Sequence, residues 1–433
     1  MTIYKGHTLT LSILGTSHGP SIGMMLNGFP AGQKINYSVL AEFMARRAPG
    51  NSPLSTSRKE PDLPEFISGI ASGSSDSEEM VTDGSKIKAI IYNKDVKSSD
   101  YSRLSNTPRP GHADYTAHVK YGGMEDSRGG GAFSGRMTAP LCIAGGICKQ
   151  LLEERGIYIN ALIYDIHGNK IDPLSEIKKA QVLRDSVGGT ISCTISGLAA
   201  GYGGPLFDGI EGRIAEAIYA IPAVKGIEFG AGFESTLTYG SENNDEFYYD
   251  DCGNVRTRTN NCGGILGGIS DGMDIVFRIA IKPTPSIARP QRTIFYDKCK
   301  ETKIEIHGRH DPCIVPRAVP CVEAAAAVVI ADMVLTEEIS KNQSDTSDLS
   351  SLRSSIDEID VRLLALIEQR LRIAESVAVY KKEHDIEVVD SNREASLLKR
   401  IRSLSSSELA DLNEDIYKAI ISASCKRQTD IMK

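Results

Sequence analysis

The chain has no tryptophan, no Cys-x-x-Cys pair and no excess of basic residues. It also lacks an uninterrupted apolar run of about 18 residues, which predicts that nothing in it spans a bilayer. With 49 Lys and Arg against 56 Asp and Glu, the net charge is −7, which sets aside a general nucleic-acid or anionic-membrane binder. A local basic pocket remains compatible with that balance. Nine cysteines are an odd and scattered set, which argues against a disulfide framework or a structural zinc site, so no metal is expected. The start, Met-Thr-Ile-Tyr-Lys-Gly-His, reads as neither a signal nor a transit peptide. A cytoplasmic location is the expectation. Apolar residues at 41%, with 40 glycines besides, suffice for a sizeable core, and 433 residues leave room for more than one domain.

Glycine and proline are missing from the last 113 residues: Gly308 and Pro320 are the last of their kinds. A stretch without either breaker, rich in Leu, Ile, Ala, Ser, Glu and Arg, predicts helix almost throughout. Between the halves, residues 337–349 are polar and short of large apolar groups, which predicts a linker. The domains are therefore expected at 1–336 and 350–433. In the first, Ala89–Tyr92 and Ile275–Ile281 read as strands and Glu323–Leu335 as a buried helix. Strands do not alternate cleanly with long helices, so the class is α+β rather than a Rossmann sheet.

Several segments of the first domain carry chemistry. Gly15-Thr16-Ser17-His18-Gly19-Pro20 sets a hydroxyl beside an imidazole, a group that transfers protons near neutral pH. A second imidazole lies in Arg109-Pro110-Gly111-His112-Ala113-Asp114, and a third cluster is Arg309-His310-Asp311-Pro312-Cys313. Between them, Arg128-Gly129-Gly130-Gly131-Ala132-Phe133-Ser134-Gly135-Arg136 and Gly263 to Ser270 are glycine-rich loops whose bare N–H groups suit phosphate. Arg46-Arg47 and Lys282-Pro283-Thr284-Pro285-Ser286 add cations. Each motif alone is as well explained by a turn or a solvated charge. Taken in order, with Pro316-Arg317-Ala318-Val319-Pro320 and Glu323 following, they closely resemble chorismate synthase over residues 1 to 336.

The resemblance implies a sandwich of helices between antiparallel sheets, as a homotetramer. It also implies anti-1,4-elimination of phosphate from 5-enolpyruvylshikimate 3-phosphate to give chorismate, with reduced FMN and no net redox change. By motif position, His18 protonates the departing phosphate beside Ser17, and His112 keeps flavin and substrate correctly charged. Asp311 takes a proton from flavin N5, helped by Ser134, while Arg46, Arg47, Arg109, Arg136 and Arg309 gather the substrate's anions. FMN falls along Ala132, Phe133 and Ser134, Pro222 and Ala223, Gly267, and Lys282, Pro283, Thr284, Pro285 and Ser286, with Arg309. A substrate with one phosphate and two carboxylates independently calls for clustered arginines. The chain departs from the family at Thr16, Asn27 and Ala132. Arg47 is the NADP-linked position, but its companion position is Pro53, so NADPH is expected only as an external source of reductant.

In the second domain, positions 352, 356, 359, 363, 367, 370, 374, 377 and 381 step along one face of a long helix. Capping boxes predict further helices from Ser391 (with Glu394) and Ser405 (with Glu408). Three helices are too thin for a private core, so the long one is expected to bury itself against a second copy. Arg370 and Lys381 interrupt its apolar stripe, and Ser424 and Gln428 interrupt that of the third helix. A polar interface layer would account for these as readily as a site. Together with Arg353, Asp390, Arg393 and Glu394 they resemble the all-helical chorismate mutase family over about residues 350 to 430. That family forms intertwined dimers and rearranges chorismate to prephenate. The resemblance implies that Arg370, Arg393 and the partner's Arg353 bind the two carboxylates. Asp390 and Glu394 then position the hydroxyl, and Lys381 and Gln428 donate to the ether oxygen. Such catalysis is electrostatic preorganisation around a compact conformer.

The expectation is a bifunctional enzyme acting on small molecules, with dimeric mutase units in a homotetramer. Its rivals are a synthase carrying a non-catalytic helical tail, and a flavin-binding module without elimination activity. A Ser-His hydrolase is disfavoured because Gly-Thr-Ser-His-Gly is no nucleophile elbow.

Overall fold

The computed structural model describes residues 2–50, 62–71, 79–93, 106–124, 126, 128–306, 311–344, 349–406 and 408–432. Arg309 and Pro53 lie outside the described residues. The chain divides into two units, Met1–Ile339 and Ser340–Lys433. The helices of the first are α1 (Tyr37–Arg47), α2 (Asp114–Tyr121), α3 (Thr138–Glu153), α4 (Pro173–Val182), α5 (Ile210–Tyr219), α6 (Gly240–Asn243) and, through Ile339, α7 (Val315–Ser344).

Two antiparallel sheets frame this unit. The first runs, in spatial order, Thr2–Lys5, Thr10–Gly15, Ser21–Asn27, Ile87–Tyr92 and Glu65–Ser68. The second runs Val224–Phe229, Ile275–Ile281, Gly189–Ser196 and Tyr158–Ile166. Ile275–Ile281 is the strand its β-branched run predicts, and it buries Ile275, Phe277, Ile279 and Ile281 on one face.

Helices fill the layer between the sheets. α3 is buried along nearly its whole length and contacts strands of both sheets, as an all-round apolar helix must. α7 contains the predicted buried helix and touches both sheets through two acids. Glu323 accepts from the Ala161 N–H of the second sheet at 3.0 Å. Asp332, fully buried, accepts from the backbone N–H groups of His7, Thr8 and Leu9 at 3.0, 2.8 and 2.6 Å, where the chain turns between the first two strands. Arg213 of α5 pairs with the same carboxylate. Where α3 and α7 cross, a Cβ on Gly145 would sit 2.3 Å from that of Ala324, so only glycine fits. The α+β sandwich implied by the resemblance is present.

Two expectations, on the linker and on the helix caps, are corrected below. Val315–Lys341 is long and apolar enough to cross a membrane by length and composition, but its apolar window is wholly buried, as in the core helix of a sandwich. Glu323 and Asp332 interrupt the run, which is why counting uninterrupted apolar residues passes over it. In the polar stretch 337–349, Glu337 to Ser344 continue α7, because Glu and Lys favour helix and Arg155 holds Glu338 at 2.7 Å. In the second unit, α8 (Leu349–Glu383) is followed by α9 (Ser391–Leu404) and α10 (Ala410–Met432). Asp390, not Ser391, caps α9 by accepting the Arg393 N–H at 2.9 Å. Ser405 ends α9 instead of starting α10: its N–H and hydroxyl both return to Ile401 O.

α10 packs on both α8 and α9. Ala374 and Ala378 of α8 are buried with Ile421, Ser424 and Gln428 of α10. Further toward the start of α8, Ile356, Ile359 and Leu363 are 56%, 58% and 46% exposed.

Candidate active sites

The 109–114 segment folds into a charged knot at the start of α2. Arg109 donates from Nε and a terminal nitrogen to the two Asp114 oxygens at 2.7 and 2.8 Å, and His112 Nδ1 lies 2.6 Å from Asp114 Oδ1. Burial alone would push the Asp114 carboxyl up. The hydrogen bonds from Arg109 and His112 outweigh it and hold the group well below the usual carboxylate range. Arg109 also donates to Ser286 Oγ at 3.3 Å, which draws in the Lys282–Ser286 loop. Lys282 donates to Gly111 O through its ammonium and to Ala223 O through its backbone. Thr284 Oγ1 donates to Asp311 O at 2.9 Å. The geometry thus brings together His112, Arg109, Ala223, Lys282, Thr284, Ser286 and Asp311.

The glycine-rich loop closes the other side. Gly130 has φ +83°, and a Cβ there would lie 3.2 Å from His112 Nε2 and 3.7 Å from Ser134 Cβ, so a side chain would press on the imidazole. Gly131 O accepts the Ser17 N–H at 3.4 Å. Ser17 is 1% exposed and its Oγ has no partner among the described residues, while His18 beside it is half-buried. An unpaired buried hydroxyl is costly unless a ligand completes it.

The remaining arginines are held by carboxylates. Arg47 and Arg136, both buried, pair with opposite oxygens of fully buried Asp62. Burial would raise the Asp62 carboxyl, but the two guanidinium groups win and lower it. Arg46 forms a two-pronged pair with Glu323 at 2.8 Å for each prong. Arg317 donates to Asp311 Oδ2 and to Arg47 O, and Asp311 is mostly buried. Gly267 sits at the tip of the Ile265–Ser270 hairpin, away from the contacts described, and Ala132 and Phe133 are exposed. No local motif marks Asp62 or Asn93 in the sequence. Asp114 does carry a signal, its place two residues after His112.

These donors suit a flavin phosphate. Among the described residues no carboxylate pairs with Lys282, whose ammonium is lowered by burial and by Lys225. Hydroxyls of Ser286 and Thr284 stand in the same loop. A partly buried cation lacking a counter-ion, next to hydroxyl donors, is the chemistry of an anion site.

In the second unit, Arg370 on α8 donates to Ser424 Oγ on α10. Gln428, one turn on, is 8% exposed with Oε1 unpartnered among the described residues. Lys381 donates to the carbonyls of Glu387 and Val388 at 3.0 and 2.7 Å, holding the α8–α9 connection. Glu394 accepts from the Cys425 thiol at 3.5 Å, and burial and that carboxylate push the thiol up. Arg370, Lys381, Glu394, Ser424 and Gln428 therefore line the packing of the three helices. Arg353, Asp390 and Arg393 are exposed, Asp390 as the α9 cap.

Fold and sites together define a two-unit enzyme, with a cationic, histidine-bearing site in an α+β sandwich and a polar cluster among three helices. A family model for chorismate synthase matches residues 9–335, and one for chorismate mutase type II matches residues 352–429. Chorismate synthase of Thermococcus gammatolerans is 42% identical over 354 residues, covering 76% of this chain and 97% of that protein. That of Methanothermobacter thermautotrophicus is 41% identical over 356 residues, covering 76% of this chain and 93% of its own. A crystal structure of chorismate synthase superposes with a TM-score of 0.59 at 24% identity, over 82% of this chain and 98% of that one. The chain belongs to the chorismate synthase family and carries a type II chorismate mutase domain after it. The two make it a lyase and an isomerase in one chain, acting in the shikimate pathway of aromatic amino acid biosynthesis.

Proposed function

We propose that the first unit eliminates phosphate from 5-enolpyruvylshikimate 3-phosphate to form chorismate, and that the second rearranges chorismate to prephenate with the residues assembled above. The observation that carries the first half is the cluster of His112, Asp114, Arg109 and Ser286 beside the Lys282 ammonium, which no carboxylate among the described residues neutralises. When bound, reduced FMN lends electron density to C–O cleavage and recovers it. Lys282, Pro283, Thr284, Pro285 and Ser286, with Ala132, Phe133, Ser134, Pro222, Ala223, Gly267 and Arg309, would hold it. His18 delivers a proton to the leaving phosphate, with Ser17 as a second donor. Asp114 orients His112 through its ring Nδ1, and His112 keeps flavin and substrate correctly charged. Asp311, paired with Arg317, would accept a proton from the flavin. Arg46, Arg47, Arg109, Arg136 and Arg309 supply the field for the substrate's anions, Asp62 and Glu323 balancing part of it.

In the second unit, Arg370, Arg393 and the partner's Arg353 bind carboxylates, and Asp390, Glu394 and Ser424 orient the substrate. Lys381 and the Gln428 amide face the ether oxygen, where charge builds. Exposed Ile356, Ile359 and Leu363 support burial of α8 against a second copy, and large exposed apolar side chains such as Phe207, Phe233 and Tyr249 support a homotetramer of the synthase units. The unbridged cysteines and the biosynthetic relatives support a cytoplasmic setting, with domains at 1–336 and 350–433 and NADPH only as an outside reductant.

The test is anaerobic: dithionite-reduced FMN and 5-enolpyruvylshikimate 3-phosphate, with phosphate, chorismate and prephenate followed together. Phosphate release with prephenate accumulating is the expected result. Chorismate that accumulates and persists would reduce the helical unit to an assembly or regulatory role.

A further inference from the structure

We propose that Asn93 and Asp62 are positioning residues for the His18 turn, transmitting the placement of Arg136 to the backbone that carries the imidazole. The proposal rests on the reading of His18 as proton donor. Asp62 accepts from Arg136 on one oxygen and from Arg47 on the other. With its terminal nitrogen fixed there, Arg136 directs Nε to Asn93 Oδ1 at 2.9 Å. That contact decides which way the Asn93 amide faces: Oδ1 meets the guanidinium, so Nδ2 must point the other way. On that side it donates to Gly19 O at 2.8 Å and Thr16 O at 3.4 Å, while the Asn93 backbone N–H donates to Pro20 O at 3.0 Å.

Asn93 therefore holds three carbonyls that bracket Ser17 and His18 from both ends. Gly19 N–H closes the turn internally on Thr16 O at 3.0 Å, and Ser17 N–H anchors it to Gly131 O. A turn so short, fastened at Thr16, Gly19 and Pro20, leaves the imidazole little freedom. Misplacing a reacting group by about 1 Å costs on the order of 100-fold in rate. Neither residue needs to touch substrate for its loss to be felt.

The substitution Asn93→Asp separates positioning from packing. The carboxylate keeps an acceptor for Arg136 and the backbone bond to Pro20, but cannot donate to Gly19 or Thr16. Asn93→Leu removes both side-chain bonds at similar volume, and Asp62→Asn loosens the chain at its far end. The full-length holoenzyme is assayed for kcat, KM and FMN affinity, and His18 is titrated by NMR with selectively labelled histidine. A kcat lowered about 100-fold in both Asn93 variants is expected, with KM and FMN affinity within about threefold of wild type. The His18 titration should shift while that of His112 stays. An Asn93→Asp enzyme with wild-type kcat, or one whose loss is entirely in KM, overturns the proposal. His18→Ala runs beside them: if it lowers kcat and Asn93→Asp does not, only the positioning role fails. If His18→Ala turns over normally, the reading beneath it fails as well. Asp62→Asn failing to fold leaves the Asn93 pair to decide.

Discussion

Arg370 and Ser424 meet across the packing of α8 on α10, guanidinium to hydroxyl, with Gln428 Oε1, unpartnered among the described residues, one turn beyond. A half-buried cation and two buried polar side chains on otherwise apolar helix faces weaken packing unless they serve a ligand. Arg370→Ala should lower mutase kcat/KM by at least about 100-fold, the scale of losing a preorganised charge. Phosphate release by the first unit should be unaltered. Coupled assays of both products on the one variant check this.

Lys381 makes a separate case, because its ammonium also ties Glu387 and Val388 carbonyls into the α8–α9 connection. Lys381→Ala is expected to cut mutase turnover by about 100-fold or more while elimination proceeds as before. Equal mutase rates in variant and wild type would sink the assignment.

Asp114 predicts a pH signature. Its carboxyl is lowered in the folded protein, so its stabilising contribution is complete above the unfolded value of about 3.9 and is lost as pH falls through it toward the folded value. Asp114→Asn should melt below wild type at pH 6, and the gap should close as the buffer is taken under about pH 4. A gap that stays constant across that range would show that the carboxylate contributes nothing through its charge.

Glu323 is 2% exposed and holds Arg46 and the Ala161 N–H, with Lys149 at 3.8 Å. Glu323→Ala should destabilise the first unit by about 3 kcal/mol, the low end for breaking a buried pair because Arg46 is half exposed and can rehydrate. Urea unfolding followed by near-UV dichroism measures it. Glu323→Gln, which keeps the acceptor for Ala161, should recover part of the loss.

Much of this was legible along the chain. The Ile275–Ile281 strand declares itself through β-branched alternation, and the helix containing Glu323 and Asp332 through its alanines. Residues in local motifs were legible too: Arg109, His112 and Asp114 span six positions and fold onto one another. Asp62 and Asn93 could not be read in this way. Each acts on Arg136, from 74 and 43 residues away, and only the packed sandwich sets them side by side. Cap positions slipped for a different reason: Asp390 and Ser391 are adjacent good caps, and which one wins depends on the turn that Lys381 imposes. The helical run through Glu337 was hidden by polarity, since helix propensity and exposure are independent properties.

The grip of Asp332 on His7, Thr8 and Leu9 links positions 325, 324 and 323 residues apart. On a ribosome working at 5–20 residues per second, Leu9 waits roughly 16 to 65 s before its carboxylate partner is even synthesised. The opening hairpin must spend that interval with three N–H groups bonded only to water and an apolar sheet face uncovered by α7. The first unit therefore closes only after residue 332 has cleared the exit tunnel, while the helical unit is being translated.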